Sequence, residues 1–165
     1  MMRRLSCAVA ILALAACTTL HEPVPDGFKG PTAELSDTVV SDDDTKAQFF
    51  VVLEIDGKPV SDSIYETRKA GDGTGLSLTI REVSRAVPVA LMKVRLVGRH
   101  ETATASQAIA SRIAGSYFAV EGVVDFTPVA GARYVVKGEL AKDGSSVWIE
   151  DAATKKPVTE KVRSK

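Results

Sequence analysis

From residue 33 onward, apolar and polar positions alternate with a period of two, which marks half-buried strands rather than an amphipathic helix of period 3.6. Along residues 48–55 one face carries Phe49, Val51, Leu53 and Ile55 and is the predicted core face; the other carries Gln48, Phe50, Val52 and Glu54. Asp56-Gly57 follows at once. Both central residues of a type I′ turn need positive φ, so this dipeptide predicts a hairpin, and Pro59 should weaken pairing just beyond it. Further strands are predicted at 76–80, at 92–97 with Met92, Val94 and Leu96 inward, and at 118–126 with Phe118, Val120, Val124 and Phe126 inward. Pro128 and Gly131 then mark a turn before Tyr134, Val136 and Leu140, and Asp143-Gly144 leads into a strand at 146–150, with a short last strand around Val158. Seven or eight strands at this spacing predict an all-β fold, an antiparallel β-sandwich. One segment departs from the pattern. Thr104 and Gln107 form a capping-box sequence and Ile109 and Ile113 lie four apart before Gly115, so a short helix over 105–114 competes there with a strand reading.

Two polar stretches read as loops. Residues 61–75 end in Gly71-Asp72-Gly73-Thr74-Gly75, which lacks the strand, helix and Lys-Ser/Thr pair of a phosphate loop and the alternate oxygen ligands of a calcium loop. Asp42, Asp43 and Asp44 are adjacent, so on extended chain their side chains diverge, and a solvated turn is expected rather than a metal site.

Composition narrows the function classes. The chain has 165 residues, 21 Lys and Arg against 21 Asp and Glu, two His and two Cys, a balance that excludes a disulfide scaffold, a zinc cage and a basic nucleic-acid binder. No cofactor and no metal are implied.

Arg3 and Arg4 precede an apolar run over residues 5–16, too short to span a bilayer and ordered like a secretory signal. The run closes in Leu14-Ala15-Ala16-Cys17, which resembles the lipobox of bacterial lipoproteins. The resemblance implies cleavage before Cys17, lipidation of its sulfur, and, with Thr18 rather than Asp next, export to the outer membrane of a Gram-negative cell envelope. At about 0.8 kcal/mol per buried CH₂, two or three acyl chains amount to a stable membrane anchor. Cys7 would leave with the signal, so Cys17 would be the only cysteine of the mature chain. The expected organisation is a signal peptide at 1–16, a lipidated Cys17 and flexible tether at 17–32, a sandwich domain at 33–160 and a tail at 161–165. Fully extended, residues 18–31 would reach roughly 40 Å at about 3.1 Å per residue. His21 falls in this tether as a solvated residue.

The stretch from Phe126 to Val158, with Gly131, Tyr134-Val135-Val136 and Trp148-Ile149-Glu150-Asp151, resembles the C-terminal half of small envelope lipoproteins with a transthyretin-like or immunoglobulin-like sandwich. That resemblance implies a fold, a location and a tyrosine that pins the chain after a glycine turn, but no activity.

The catalytic inventory is thin. Only His100 could serve as an imidazole base in the folded domain, and its position after the predicted strand at 92–97 makes it a surface-loop residue; Glu150 and Asp151 diverge at a strand end beside a turn. Two functions remain: a membrane-anchored, non-catalytic interaction module that meets another envelope protein, or a small-ligand carrier or hydrolase with a pocket at one end of the sandwich. Five Phe, three Tyr and one Trp leave little apolar surplus to line a pocket, which favours the module. Its candidate contact residues are Trp148, Phe50 and Val52. With Val147 and Ile149 inward, Trp148 points outward, and it forms an exposed patch with Phe50 and Val52 if their strands share a sheet, unless Ile109 and Ile113 of the 105–114 segment cover it.

Overall fold

The computed structural model describes residues 19–73 and 75–164; residues 1–18, and with them the expected signal peptide and Cys17, lie outside the described residues. The described chain forms, in order, β1 (Thr32–Ser36), β2 (Thr38–Ser41), β3 (Lys46–Ile55), β4 (Lys58–Pro59), α1 (Ser63–Gly71), β5 (Ser84–Pro88), β6 (Met92–Thr102), α2 (Ala105–Ile113), β7 (Ala119–Phe126), β8 (Arg133–Glu139), β9 (Ser146–Asp151) and β10 (Val162–Arg163). These make two sheets packed face to face, one ordered β10-β9-β8-β1-β5 and the other β2-β3-β6-β7 with β4 on β3. The fold is the expected all-β sandwich. One pairing departs from antiparallel order: β1 runs parallel to β8, with Leu35 opposite Tyr134.

The main core lies between the sheets, where Leu35, Val87, Leu96, Val124, Phe126, Val136 and Ile149 are closed to solvent. Phe50 and Val52 belong to it, the reverse of the sequence-based assignment. Phe49 and Val51, expected to face that core, instead enter a smaller second core on the outer side of β3, together with Ala47, Ile64 and Val97. Helix α1 and the segment carrying Leu78 and Ile80 roof it, so β3 is buried on both faces. A β-bulge between Val52 and Glu54 then shifts the phase and returns Ile55 to the inter-sheet side.

Other segments differ from the sequence expectation for related reasons. Residues 76–80 form no strand; Leu78 and Ile80 pack on the second core from a loop held by Leu78 N–H donating to the Asp44 carbonyl at 2.8 Å. Much of the polar stretch 61–75 is helix α1, whose N-cap Asp62 accepts from the backbone N–H groups of Ile64 and Tyr65. Residues 105–113 are indeed a helix with a complete capping box, Thr104 and Gln107 satisfying each other's backbone N–H groups. Helix α2 nevertheless buries no residue, and Ile109 and Ile113 are exposed.

The turns obey their residues. Asp56 and Gly57 have φ of 50° and 74°, the positive pair of a type I′ turn, and the β3–β4 pairing stops at Pro59. Across the Gly131 turn, the Tyr134 hydroxyl accepts from Val129 N–H at 2.9 Å, and its ring meets Phe126 edge-on with centroids 5.0 Å apart. Near Val158 there is a bridge between Glu150 and Pro157, and the final strand β10 falls in the expected tail, pairing with β9.

Candidate functional site

Asp37 is the single residue between β1 and β2, where the chain passes from one sheet to the other. Its carboxylate is buried and fully engaged. Oδ1 accepts from Val52 N–H at 3.1 Å and from Arg85 Nη2 at 2.9 Å, and Oδ2 accepts from Ser63 N–H at 2.8 Å and Ser63 Oγ at 3.0 Å. The β2–β3 pairing ends at Thr38 opposite Phe50 and the β3–β4 pairing resumes at Glu54, so Val52 N–H lies in a gap that the carboxylate fills. Burial pushes the Asp37 carboxyl above its ordinary value, while Arg85 and these hydrogen bonds pull it back down.

Arg85 approaches from β5 with 5% of its side chain exposed, and Nη2 also donates to the Ser61 carbonyl at 3.0 Å. Its Nε and Nη1 are buried without a hydrogen-bond partner. An Arg can donate five N–H bonds, so this guanidinium keeps unused donor capacity beside Ser61. Ser61, Arg85, Val60, Val83, Ser84, Ala86 and residues 21–23 line a groove of about 180 Å³.

That groove follows an open strand edge. Among the described residues β5 pairs with β1 alone. Its register, Leu35 opposite Arg85, and the flanking bonds from Asp37 N–H to the Val83 carbonyl and from Val89 N–H to the Pro31 carbonyl direct the backbone of Arg85 and Val87 toward β1. The backbone groups of the alternate residues Ser84 and Ala86 therefore face outward, into the groove. On the outer face of the same sheet a broader depression of about 500 Å³ crosses β8, β1 and β5, where Glu34 Oε1 accepts from Ser84 Oγ at 2.6 Å.

The sequence-derived contact residues do not meet on a surface. Phe50 and Val52 are 2% and 0% exposed in the inter-sheet core, on the opposite sheet from Trp148. Trp148 does lie on the face away from Val147 and Ile149, as the pleat requires, yet it is only 7% exposed. The cover is not the 105–114 segment. Lys161, carried back over the sheet by the chain before β10, places Nζ 3.6 Å from the ring centroid, a cation–π contact.

His100 is likewise displaced from its expected loop. Strand β6 continues to Thr102, and the imidazole is buried, with Nδ1 accepting from Phe118 N–H at 3.1 Å and Nε2 lying 3.5 Å from Asp42 Oδ2. Burial, reinforced by the Lys46 charge, pushes the imidazole below its ordinary value against the weaker pull of Asp42. The sign is that of a base kept neutral: the unfolded ring protonates near pH 6.5 while the folded one resists, so its stabilising contribution is present above pH 6.5 and is lost as pH falls toward the depressed folded value. Melting temperature should therefore drop between pH 7.5 and 5. His100→Gln, whose amide oxygen can still accept from Phe118, should flatten that drop, and an unchanged slope in the variant would remove His100 as the cause.

Asp43 caps its own turn by accepting from Thr45 N–H and Oγ, Asp42 holds Gln48 at 2.8 Å, and Asp151 accepts from Ala153 and Thr154 N–H. These carboxylates are spent on local structure. Neither Asp37 nor Arg85 carries a local sequence signal, because their partners lie 15 to 48 positions away. Comparison with known proteins found no matching family model, no matching curated protein and no matching solved structure.

Proposed function

We propose that this chain is an envelope lipoprotein, anchored through Cys17, that works as a non-catalytic interaction module by accepting an extended segment of another envelope protein along the open edge of β5. The observation that supports this reading is the outward-facing backbone of Ser84 and Ala86 beside a groove backed by Arg85. A strand added there would gain main-chain hydrogen bonds for affinity.

The anchor and the edge are tested separately. Cys17→Ser should leave the protein uncleaved or released from the membrane fraction. Ala86→Pro removes one outward N–H while leaving the β1-facing groups in place, so it should abolish cross-linked recovery of the envelope partner with little change in melting temperature. Equal recovery by wild type and Ala86→Pro would reject the β5 edge as the docking surface.

A further inference from the structure

The stretch expected to be a free tether is fixed to the domain almost from its start. His21 N–H donates to the Pro59 carbonyl at 2.8 Å, Pro23 and Val24 are half-buried, and Phe28 N–H donates to the Pro25 carbonyl. Residues 21–31 thus run as a strap from β4 on one sheet to β1 on the other. Three residues lie between Cys17 and His21, and the four Cα–Cα steps that join them span at most about 14 Å. The end of the sandwich that carries the β3–β4 turn is therefore held close to whatever Cys17 is attached to. The opposite end, where β6 delivers the chain to α2, is farther away by the length of a strand, roughly 30 Å.

That near end is tipped with apolar side chains. Phe28 is 40% exposed in the strap, Leu91 69% in the turn before β6, and Val129 66% in the turn before β8. The three segments are bound together at their bases. Val89 N–H donates to the Pro31 carbonyl, and Gly131 N–H donates to the Thr32 carbonyl. Charges of both signs surround these tips, Lys29, Lys58 and Lys93 standing among Glu22, Asp26, Asp56 and Asp125, with Lys93 and Asp125 directly paired at 2.9 Å. A set of apolar loop tips ringed by charges of both signs, beside a short lipid-bearing leader, fits a bilayer surface better than a partner of one strong charge.

We propose that the tips of Phe28, Leu91 and Val129 rest in the interfacial layer of the membrane that holds Cys17, so that the module stands on this end with α2 directed away from the bilayer. The proposal rests on the lipid-anchor reading above. Three side chains alone would bind weakly, but the anchor makes the contact intramolecular and raises the local concentration of membrane enormously. Because the contact is apolar, it should persist at high salt and on neutral lipid.

The test uses the lipidated full chain in phosphatidylcholine vesicles. A lipidated Cys17 has no free thiol, so Leu91→Cys, Val129→Cys and Ile113→Cys each give one site for a nitroxide, and all three positions are exposed enough to accept it without refolding the core. Labels at 91 and 129 should collide more with oxygen than with a water-soluble nickel chelate, in 0.1 M and in 1 M salt, whereas the label at 113 should show the reverse. If 91 and 129 match 113 while the protein floats with the vesicles and carries acyl mass on Cys17, the orientation is wrong and the anchor stands. If the protein neither floats nor carries acyl mass, both are overturned.

Discussion

Asp37→Ala is expected to cost about 3–5 kcal/mol, the range for removing one partner of a buried ion pair, and to lower the melting temperature by on the order of 10 °C or more in a chain of this size. The residue holds more than its ion pair. With the carboxylate gone, Val52 N–H and Ser63 N–H lose their acceptor, Ser63 Oγ loses one, and the Arg85 guanidinium keeps only the Ser61 carbonyl. Three elements then come loose from one another: the crossover between β1 and β2, the start of α1, and β5. Arg85→Met should cost less, because Asp37, already pushed upward by burial, can take up a proton and remain bonded to Ser63 and Val52. The pH dependence separates the two variants. With Arg85 absent the folded carboxyl should titrate still higher; a raised folded value means stability is fully present below the unfolded value near 3.8 and declines as pH rises through the folded value. Arg85→Met should thus gain stability on acidification relative to wild type, and Asp37→Ala should not. Chemical denaturation at pH 7.5 and 5 measures both, and a cost near zero for Asp37→Ala would show that the pair only decorates the crossover.

The strands that sequence alone located correctly, β3, β6, β7, β8 and β9, carry clear alternation or end in turn dipeptides whose backbone needs are unambiguous. β1, β2 and β5 were missed because they are short and polar on one face, and their existence depends on long-range partners rather than on pattern. The error at β3 has a different origin. Phe49-Phe50-Val51-Val52 is four consecutive apolar residues, and such a run signals burial on both faces. Alternation alone leaves one face of this run to solvent, which is where the expected docking patch of Phe50 and Val52 comes from. Once α1 is recognised within residues 61–75, through Asp62 as N-cap, the outer face of β3 acquires its roof and Phe50 and Val52 have nowhere to go but inward.

His100 lies in strand rather than loop because β6 continues past the point where alternation fades. Beyond Val97, Gly98-Arg99-His100-Glu101 looks like loop chemistry, yet all four pair with β3. Glu101 is neutralised there by Arg68 from α1 and by Arg99, so polar residues continue the strand under a helical roof instead of leaving it. The groove along β5 was illegible for a physical reason. Its components are backbone groups, a strap whose sequence reads as a tether, and an arginine whose partner is 48 residues away along the chain. No local periodicity encodes any of them.

The second large effect is expected at Phe50. Its ring is 2% exposed and lies over two glycines, Gly98 directly opposite on β6 and Gly138 on β8 of the facing sheet. A side chain at Gly138 would enter the van der Waals volume of the ring and stand 2.5 Å from the Ser146 carbonyl oxygen, which cannot move without disturbing the β8–β9 pairing. At Gly98 the nearest ring atom would be 3.0 Å away, a crowding the ring can partly relieve by shifting. Phe50→Ala should therefore cost about 3–5 kcal/mol through the cavity it opens between the sheets. Gly138→Ala should cost about 1–3 kcal/mol or more by overpacking, and Gly98→Ala less. The ring's share of the Gly138 clash is separable. In a Phe50→Leu background, Gly138→Ala should be less harmful than in the wild type, and the residual cost should match the backbone contact with Ser146. Urea titrations of the four proteins complete the cycle. Independent, additive effects would mean that Phe50 and Gly138 do not key the two sheets together.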